Sequence, residues 1–421
     1  MKKIKLLVLL SSVLGVLSCG KPSFEESGCG GTTVDELEVL LTLGPSGAGT
    51  TRAGEDDGEG TLSNVSLFLF SWDGEYLSRY PFNEEDLSTL TYHLQVRSGE
   101  SRICLFLGNL PEGTLSSLEG RSLTGLEETI LSVADNYSPG LIPMAGVCAV
   151  TFPVGDFHRT VDMHRLMFRV DLGRVEGNFI DENMQGGDVY LRRVALVNHS
   201  SAFRVFSSLS ARTLSEVEML FGSYRTGASA FGGVAPFFDG FLPETASGAE
   251  YSFGGAFFNF NFEKAEGELY LDSEGVLSNL VEYDIENGEG LIYSEGEGPG
   301  SLEIAASMRG FPTNPDCEKA TGKVDFSTQD FFPKIVFEVV RRKSGEEDLV
   351  RFYPVTMYYP QPGVRYSIEK VSLVGGGSAY SNFCRSLYWL SADIGVSSWD
   401  GCSLPSLETG YTDTSRTEIF E

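Results

Sequence analysis

The sequence predicts a mainly β protein of sandwich architecture that is preceded by an export signal. Short segments of alternating or continuous apolar residues recur along the chain, and this pattern is typical of β-strands. Glycine is abundant, with 49 of 421 residues, and Gly, Asn, Asp and Pro signals separate the segments. Many short strands with frequent turns favour an all-β sandwich over an alternating α/β fold. The chain is long enough to bury a sizeable core.

The charge balance excludes one class of partner. The chain carries 31 basic and 59 acidic residues, a formal net charge of −28. Nucleic-acid binding requires clustered Lys and Arg, so we expect no nucleic-acid partner. We attribute the acidity to solubility and mutual repulsion at a crowded cell surface.

Residues 1–18 predict an export signal, since a basic start precedes an apolar stretch that is too short for an ordinary membrane span. The stretch ends in Val16-Leu-Ser-Cys-Gly20, which resembles a bacterial lipobox. Cys19 would then be the first mature residue and would carry the lipid. The alternative is an ordinary secretory signal followed by a coincidental cysteine. Residues 19–33 predict a polar tether.

The first strand is predicted at Val34–Leu43, where apolar residues alternate; its predicted core face comprises Leu37, Val39, Leu41 and Leu43. The second strand is predicted at Val65–Phe70 and ends in an Asp73-Gly74 turn signal. The loop 44–60 between them is rich in Gly, Ser, Thr and acidic residues, and its one basic residue is Arg52. We therefore hypothesise that an Arg-specific protease cuts between Arg52 and Ala53, which would free the first strand and open a groove.

Further apolar segments predict the rest of the architecture. A helical region is predicted at Gly113–Ala134, broken by Gly120 and Gly125. A strand pair or bulged strand is predicted at Leu141–Phe152, with Pro143 and Gly146 interrupting its pairing. The remaining predicted strands are Leu90–Val96, Ile103–Leu107, Leu166–Leu172, Val189–Val197, Ile335–Val340, Val350–Tyr359, Tyr366–Val374 and Leu387–Trp399.

A composition shift towards Gly, Ala, Ser and Phe begins near residue 222. We therefore predict an N-terminal domain over 34–222 and a C-terminal domain over 223–421. The C-terminal domain is predicted to end in a polar tail, 400–421, which has little periodicity.

Catalytic and metal-binding motifs are lacking. The sequence contains no C-x-x-C or H-E-x-x-H motif and no nucleophile elbow, so we expect no enzyme activity, cofactor or metal site. His158 and His164 could approach a metal ion, but scattered surface histidines are the better interpretation. Cys384 and Cys402 are close enough in sequence to form a disulfide, and Cys104 and Cys148 are expected to be buried in strands.

The order of short motifs resembles the fimbrillin family, the subunits of type V pili. The resemblance covers most of 34–399, but residues 222–324 match no motif of the family. It rests on the following motifs in order: the Thr-Thr-Arg52-Ala loop, Leu67-Phe-Leu-Phe70 with Asp73-Gly74, Cys104-Leu-Phe-Leu-Gly-Asn109-Leu-Pro111, Pro143-Met-Ala-Gly146, Arg165-Leu-Met-Phe-Arg-Val170, Arg365-Tyr-Ser-Ile368 through Gly377, and Ile394-Gly-Val-Ser-Ser-Trp399.

The resemblance implies two tandem β-sandwich domains of a transthyretin-like or Greek-key type. It also implies an exported lipoprotein that is anchored in the outer membrane through Cys19 and then joins an extracellular fimbrium by donor-strand exchange. Cleavage at Arg52 would remove the first strand, and a strand of another pilus subunit would replace it. The candidate donor strand contains Ile394, Val396 and Trp399. The tail 400–421 departs from stalk subunits, which tend to end near the Trp-containing strand.

Other functions stay open at this point. The chain could be a monomeric surface lipoprotein that binds a glycan or a host protein, or an anchor or tip subunit that is not cleaved. An exported hydrolase is the third hypothesis, and no motif supports it.

Overall fold

A computed structural model describes fifteen stretches of the chain. They are residues 36–45, 60–97, 99–138, 140–152, 157–197, 199–200, 202–208, 219–221, 224–226, 250–253, 256–259, 279–315, 333–357, 360–377 and 390–398. The described chain is mainly β with largely antiparallel sheets, as the sequence predicted. No helix among these residues has the length and apolar content needed to cross a membrane.

The first half of the chain forms one seven-stranded sheet, in the order β3-β2-β5-β7-β8-β1-β4. Its strands are β1 (Glu36–Pro45), β2 (Val65–Ser71), β3 (Tyr76–Pro81), β4 (Thr91–Arg97), β5 (Ser101–Gly108), β7 (Met144–Thr151) and β8 (Phe157–Arg165), and the short β6 (Leu131–Ser132) lies outside it. The helices of this half are α1 (Glu84–Thr89), α2 (Glu112–Ser117), α3 (Leu123–Glu127) and α4 (Val133–Asn136).

Two cores lie on the two faces of β2, β5 and β7. One core joins these strands to β4 and β8, through residues such as Leu67, Phe106, Leu94 and Val161. The other core packs Phe68, Leu105 and their neighbours against the short helices. The part of the sheet that contains β8, β1 and β4 therefore covers one face of the central strands, and the helices cover the other face.

The hairpin of β2 and β3 confirms the predicted strand and turn. Val65 to Phe70 are all buried, because one core lies on each side of β2. Gly74 has a φ of +87°, a conformation that L side chains rarely adopt. The helical region is present as three short helices, but Gly125 lies inside α3 and does not break it, since the side chain of Ser122 accepts a hydrogen bond from its N–H. Gly120, with a φ of +75°, separates α2 from α3.

The pairing of strand β7 differs from the expectation that Gly146 would interrupt it. It pairs with β5 without a register shift, from Ser101 opposite Thr151 to Gly108 opposite Met144, so Gly146 does not interrupt the pairing. The glycine has a different role. A Cβ at this position would lie 2.6 Å from the backbone oxygen of Asp162 and 2.8 Å from the sulfur of Met163. Gly146 therefore allows β8 to approach β7 closely, although only two residue pairs join these strands.

The chain from residue 168 onward adds two further sheets. One has the order β20-β9-β24-β25, and the other has the order β19-β18-β10-β22-β23 with β17 also paired to β10. Their bounds are β9 (Phe168–Gly177), β10 (Asp188–Val197), β17 (Leu280–Glu282), β18 (Leu291–Ser294), β19 (Gly298–Pro299), β20 (Ser301–Gly310), β22 (Lys334–Arg342), β23 (Leu349–Thr356), β24 (Val364–Leu373) and β25 (Leu390–Ser398). One core lies between these two sheets, with residues such as Val170, Val194, Phe337 and Ile368.

The remaining elements are short. Helix α5 spans Glu182–Gln185. Two-stranded pairs are formed by β11 (Ala202–Phe203) with β6, β12 (Ser207–Ser208) with β13 (Met219–Leu220), β14 (Tyr224–Thr226) with β21 (Thr313–Pro315), and β15 (Glu250–Phe253) with β16 (Ala256–Asn259). The predicted hairpin around 343–347 is present, with Gly345 at a φ of +82° between β22 and β23.

Strands β9 and β10 pair with strands from the C-terminal half of the chain. β9 lies between β20 and β24, and β10 pairs with β22, although both lie before the predicted boundary at 222/223. The division into two domains stays a prediction.

A half-buried carboxylate links three strands of the β9 sheet. Asp171 on β9 accepts hydrogen bonds from Arg169 Nε (2.7 Å), from Ser307 Oγ on β20 (2.6 Å) and from Arg365 Nε on β24. Burial raises the pKa of Asp171, but the Ser307 hydrogen bond and the two guanidinium groups outweigh it and leave the pKa below its ordinary value. The charged form is therefore the one that stabilises the sheet.

We expect Asp171→Asn to lower the free energy of unfolding by about 1 to 2 kcal/mol at pH 7, because charge-assisted hydrogen bonds are lost. The folded pKa is lowered, so this stabilisation is present above the ordinary pKa, near 4, and is lost as the pH falls through the folded pKa. The difference between variant and parent should shrink in urea unfolding at pH 3. Asp135→Asn, at an exposed position, is the matched control and should stay within about 0.5 kcal/mol. An equal difference at both pH values would contradict the assignment.

Candidate functional site

The candidate site is the place that β1 occupies between β8 and β4. β1 pairs antiparallel with β4, from Glu36 opposite Arg97 to Thr42 opposite Thr91. It pairs parallel with β8, from Val39 opposite Phe157 to Pro45 opposite Met163. The predicted first strand is therefore an inner strand of the sheet, and both of its backbone edges are paired.

Removal of β1 would leave a gap that is one strand wide. Among the described strands, β4 pairs with β1 alone. β8 would keep only the pairs of Met144 with Arg165 and of Ala145 with His164. The gap would therefore expose unpaired backbone N–H and C=O groups along both walls, which is the property that allows another strand to add to a sheet.

The β4 wall is held in place by aromatic packing as well as by β1. Tyr92 on β4 stacks on Phe82, with ring centroids 5.0 Å apart, and Phe82 contacts Phe106 edge-on at 6.2 Å. Leu94, also on β4, is buried in the same core. Burial raises the pKa of the Tyr92 hydroxyl, so this group stays neutral. These contacts do not involve β1, so the wall has support of its own.

The β8 wall contributes Val161 and Met163 to the core, where both are buried. The strand approaches β7 closely at Gly146, as described above. The floor beneath the site comes from the central strands; it includes Leu67, Leu69, Cys104, Phe106, Cys148 and Val150.

The register aligns the predicted core positions of β1 with core residues of its neighbours. Val39 is opposite the buried Leu94, and Leu43 is opposite the buried Val161. Leu41 is opposite Tyr92, which packs against the same core. Leu37 is opposite Val96. Laterally paired residues occupy the same face of a sheet, so the alternation read from the sequence agrees with this register.

The side chain of Asn109 binds the residues that follow the loop between β1 and β2. Its Oδ1 accepts a hydrogen bond from the Ser63 N–H (2.8 Å), and its Nδ2 donates to the carbonyl oxygens of Thr61 and Ile142 (2.8 Å each). The side chain is buried, and the backbone has a left-handed φ of 59°. Asn tolerates this φ better than most residues, and its amide satisfies three buried or half-buried backbone groups. The sequence located Asn109 in a motif but did not show this role.

We expect Asn109→Ala to lower the free energy of unfolding by about 2 kcal/mol, because backbone groups of Thr61, Ser63 and Ile142 lose their partner and alanine tolerates this φ less well than asparagine does. Asn109→Gly is the matched control, since glycine accepts the φ but lacks the amide. Its loss should be smaller than that of the alanine variant. Equal unfolding midpoints in urea for Asn109→Ala and the parent would contradict the role of the side chain.

The structure places the other predicted site residues as follows. Ile394 and Val396 lie on β25, which pairs only with β24 among the described strands and is thus at a sheet edge.

His158 and His164 lie on β8, six positions apart and so about 20 Å along the strand. His164 stacks on Phe221 at 5.5 Å, so the structure does not bring the two histidines together. Other predicted residues lie outside the described stretches: Cys19, Arg52, Ala53, Cys384, Trp399 and Cys402, together with 1–33 and the tail 400–421.

Cys104 and Cys148 are buried, as expected, and they lie directly opposite each other on β5 and β7. Within the described stretches, no group of three or more His, Cys, Asp or Glu side chains is placed to hold a metal ion.

Comparison with solved structures identifies the fold. A candidate cell adhesion protein from Bacteroides eggerthii is 15% identical, with a TM-score of 0.50 over 86% of this chain and 96% of that chain. A fimbrilin from Porphyromonas gingivalis is 13% identical, with a TM-score of 0.50 over 86% of this chain and 98% of that chain. This chain has the fold of these two proteins. The resemblance drawn from the motifs is therefore confirmed at the level of the fold. No protein-family model matches the chain, and no curated protein sequence matches it.

Proposed function

We propose that this chain is a fimbrillin-like subunit of a cell-surface fimbria that assembles by protease-triggered strand exchange. The observation that carries the proposal is the position of β1, an inner strand whose covalent connection to the other strands of the sheet runs through residues 46–59. The fold shared with a fimbrilin and a candidate cell adhesion protein also supports this proposal.

The first step is release of β1. A cut between Arg52 and Ala53 would separate β1 covalently from β2, since β1 comes before the cut in the chain. The residues after the loop would stay in place, because Asn109 binds Thr61 and Ser63. β1 would then be held by its two backbone ladders, and it would remain joined to the segment that carries Cys19.

The second step is replacement of β1. A strand from another subunit would satisfy both exposed backbone edges and would cover the apolar floor at the same time. Burial of four Leu, Ile or Val side chains contributes roughly 6–12 kcal/mol before ordering costs, at 1.5–3 kcal/mol each. Such a linkage would be long-lived, because withdrawal of the strand exposes all of that surface together.

The donor strand is proposed to be β25 with the following residue, and thus to include Ile394, Val396 and Trp399. β25 lies at a sheet edge, so its departure would break one backbone ladder rather than two. Its apolar positions alternate with small or polar residues, as the vacated site requires.

The cellular setting belongs to the same proposal. The chain would be exported by its signal peptide, anchored in the outer membrane through a lipid on Cys19, and then incorporated into an extracellular fimbrium that contributes to adhesion. Its partners would be other pilus subunits, with a host protein or glycan as the adhesion ligand. We assign no catalytic role to it.

The deciding experiment is intact mass and N-terminal sequencing of the protein from the cell surface, alongside a denaturing gel without boiling. We expect an N-terminus at Ala53 and an SDS-resistant ladder. A lipidated N-terminus at Cys19 with a single band would contradict strand exchange and would indicate an uncleaved anchor subunit or a monomeric binding lipoprotein. An N-terminus at Ala53 without a ladder would support the cleavage but contradict the polymerisation.

A peptide test isolates the exchange step. A synthetic peptide of residues 36–45, added in excess to the cleaved protein, should refill the gap and suppress ladder formation. The matched control is the same peptide with Val39→Asp, which places a carboxylate at the position opposite the buried Leu94. Equal suppression by both peptides, or by neither, would contradict the proposed site.

A further inference from the structure

Cys104 and Cys148 form an isolated pair of thiols in the floor beneath β1. They are register partners on β5 and β7, and their exposed fractions are 0% and 7%. A hydrogen bond from the Cys104 thiol to the Cys148 sulfur raises the pKa of Cys104 and lowers the pKa of Cys148. The positive charge of Arg159 lowers the pKa of Cys148 further. The two thiols are thus chemically unequal.

The backbone geometry suits a covalent link. Directly opposed residues on antiparallel strands have Cα atoms about 4.5 Å apart in a non-hydrogen-bonded pair and about 5.5 Å apart in a hydrogen-bonded pair. Disulfides join cysteines whose Cα atoms are roughly 4.4–6.8 Å apart. The β5–β7 pairing is also regular over its whole length, so neither strand would have to shift its register.

We propose that Cys104 and Cys148 form a cross-strand disulfide when the chain folds in the presence of a disulfide oxidant. In this structure the two are free thiols. Neither the sequence motifs nor the strand-exchange function requires the bond, and the pair is the one place in the described stretches where two cysteines lie opposite each other. The export proposed above would supply an oxidising compartment, since disulfides persist outside the cytosol. The chemistry of the pair itself does not depend on export.

The reaction balances with any small-molecule or protein disulfide as the oxidant. The Cys148 thiolate attacks one sulfur of the oxidant, which forms a mixed disulfide and expels one thiolate. That thiolate takes the proton of Cys104. The Cys104 sulfur then attacks the Cys148 sulfur and expels the second half of the oxidant as a thiolate, which takes the proton released when Cys148 ionised. Two thiols have lost two electrons and two protons, and the oxidant has become two thiols.

The burial of the two thiols determines the stage of folding at which this reaction takes place. Since the thiols are almost completely covered in the folded chain, the oxidant has to reach them while β5 and β7 are pairing. The resulting bond would close the loop that contains α2, α3 and α4. It would also hold the floor of the site rigid, whichever strand occupies the position of β1.

The test uses the chain from residue 20 onward, refolded from denaturant with a mixture of reduced and oxidised glutathione. Blocking of free thiols, followed by trypsin without reduction, should yield one cross-linked species that contains residues 103–121 and 122–159, since each of these peptides holds one cysteine. Its mass should be about 2 Da below the sum of the two reduced peptides. Recovery of both peptides with blocked thiols would overturn the proposal.

A second variant makes the result independent of the other cysteines. Cys29, Cys317, Cys384 and Cys402 are changed to Ser, so that only Cys104 and Cys148 can pair. The oxidised form should unfold about 5 °C or more above its reduced form, because the link constrains the unfolded chain. Addition of Cys148→Ala should abolish both the mass change and the difference in unfolding temperature. If the difference persists without Cys148, it arises elsewhere and the proposal fails.

Discussion

The variant Arg52→Ala should be exported and folded but should form no SDS-resistant polymers. The loop 44–60 contains no other basic residue, so the substitution removes the only site in the loop for an Arg-specific protease. β1 would then stay covalently attached and paired with β4 and β8, and no gap would open for an incoming strand. The measurement is a gel without boiling on surface fractions, with N-terminal sequencing of the protein band.

Two matched variants sharpen this prediction. Arg52→Lys should also fail to polymerise in cells, but cleavage of the purified protein by a Lys-specific protease should restore the ladder, provided that the new N-terminus is Ala53. Arg121→Ala, which removes an exposed arginine outside the loop, should polymerise normally. A normal ladder from Arg52→Ala would refute cleavage in this loop as the trigger.

The variant Gly146→Val should lower the free energy of unfolding by about 3 kcal/mol or more. A Cβ at this position meets the backbone oxygen of Asp162 at 2.6 Å, and a backbone atom cannot move aside as a flexible side chain can. β8 would have to move away from β7, and it would carry Val161 and Met163 out of the core. Because β8 is one wall of the site, polymers that still form should also dissociate at a lower temperature.

The control for this steric argument is Gly113→Ala. Gly113 lies in α2, and a Cβ there meets nothing within 4 Å. Alanine is the better helix former, so this variant should be neutral or slightly stabilised, by up to about 1 kcal/mol. Similar losses for the two variants in urea unfolding would show that glycine-specific packing between β7 and β8 is not the cause.

Sequence periodicity locates most of the strands of seven or more residues, because their burial follows simple patterns. β2 is buried on both faces and is recognisable as a continuous apolar run. The hairpin of β22 and β23 is recognisable from the polar turn between two apolar segments. In these cases the signal is local, so a single sequence is enough.

Strands β8 and β20 were not predicted from the sequence, and there is a physical reason why each was missed. In β8, Val161 and Met163 alternate with polar residues, but Arg159 occupies the preceding alternate position. The apolar pattern is therefore too short to indicate a strand. β20 has alternating exposed and half-buried positions over most of its length, and Met308 is its one buried large apolar residue. A strand at a sheet edge needs few apolar residues, so its sequence carries a weak pattern.

Pairing between distant segments is the second limit of sequence reasoning. The alternation in β1 predicted a strand, but it did not show that β4 and β8 would flank it. The role of Asn109 was hidden as well, because its partners Thr61 and Ile142 are distant in sequence. The composition shift near 222 also gave no indication that β9 and β10 pair with strands that come much later in the chain.

The parallel pairing of β9 with β24 has a consequence for how the chain folds. Val170 lies opposite Tyr366, so these two strands cannot meet until almost the whole chain is present. Closing so long a loop costs entropy before any contact compensates for it, and chains with such distant pairings fold slowly. The sheet that contains β9 should therefore be among the last parts to form. Its early strands would spend that time as unpaired edges that are prone to aggregation, and holdase chaperones protect edges of this kind.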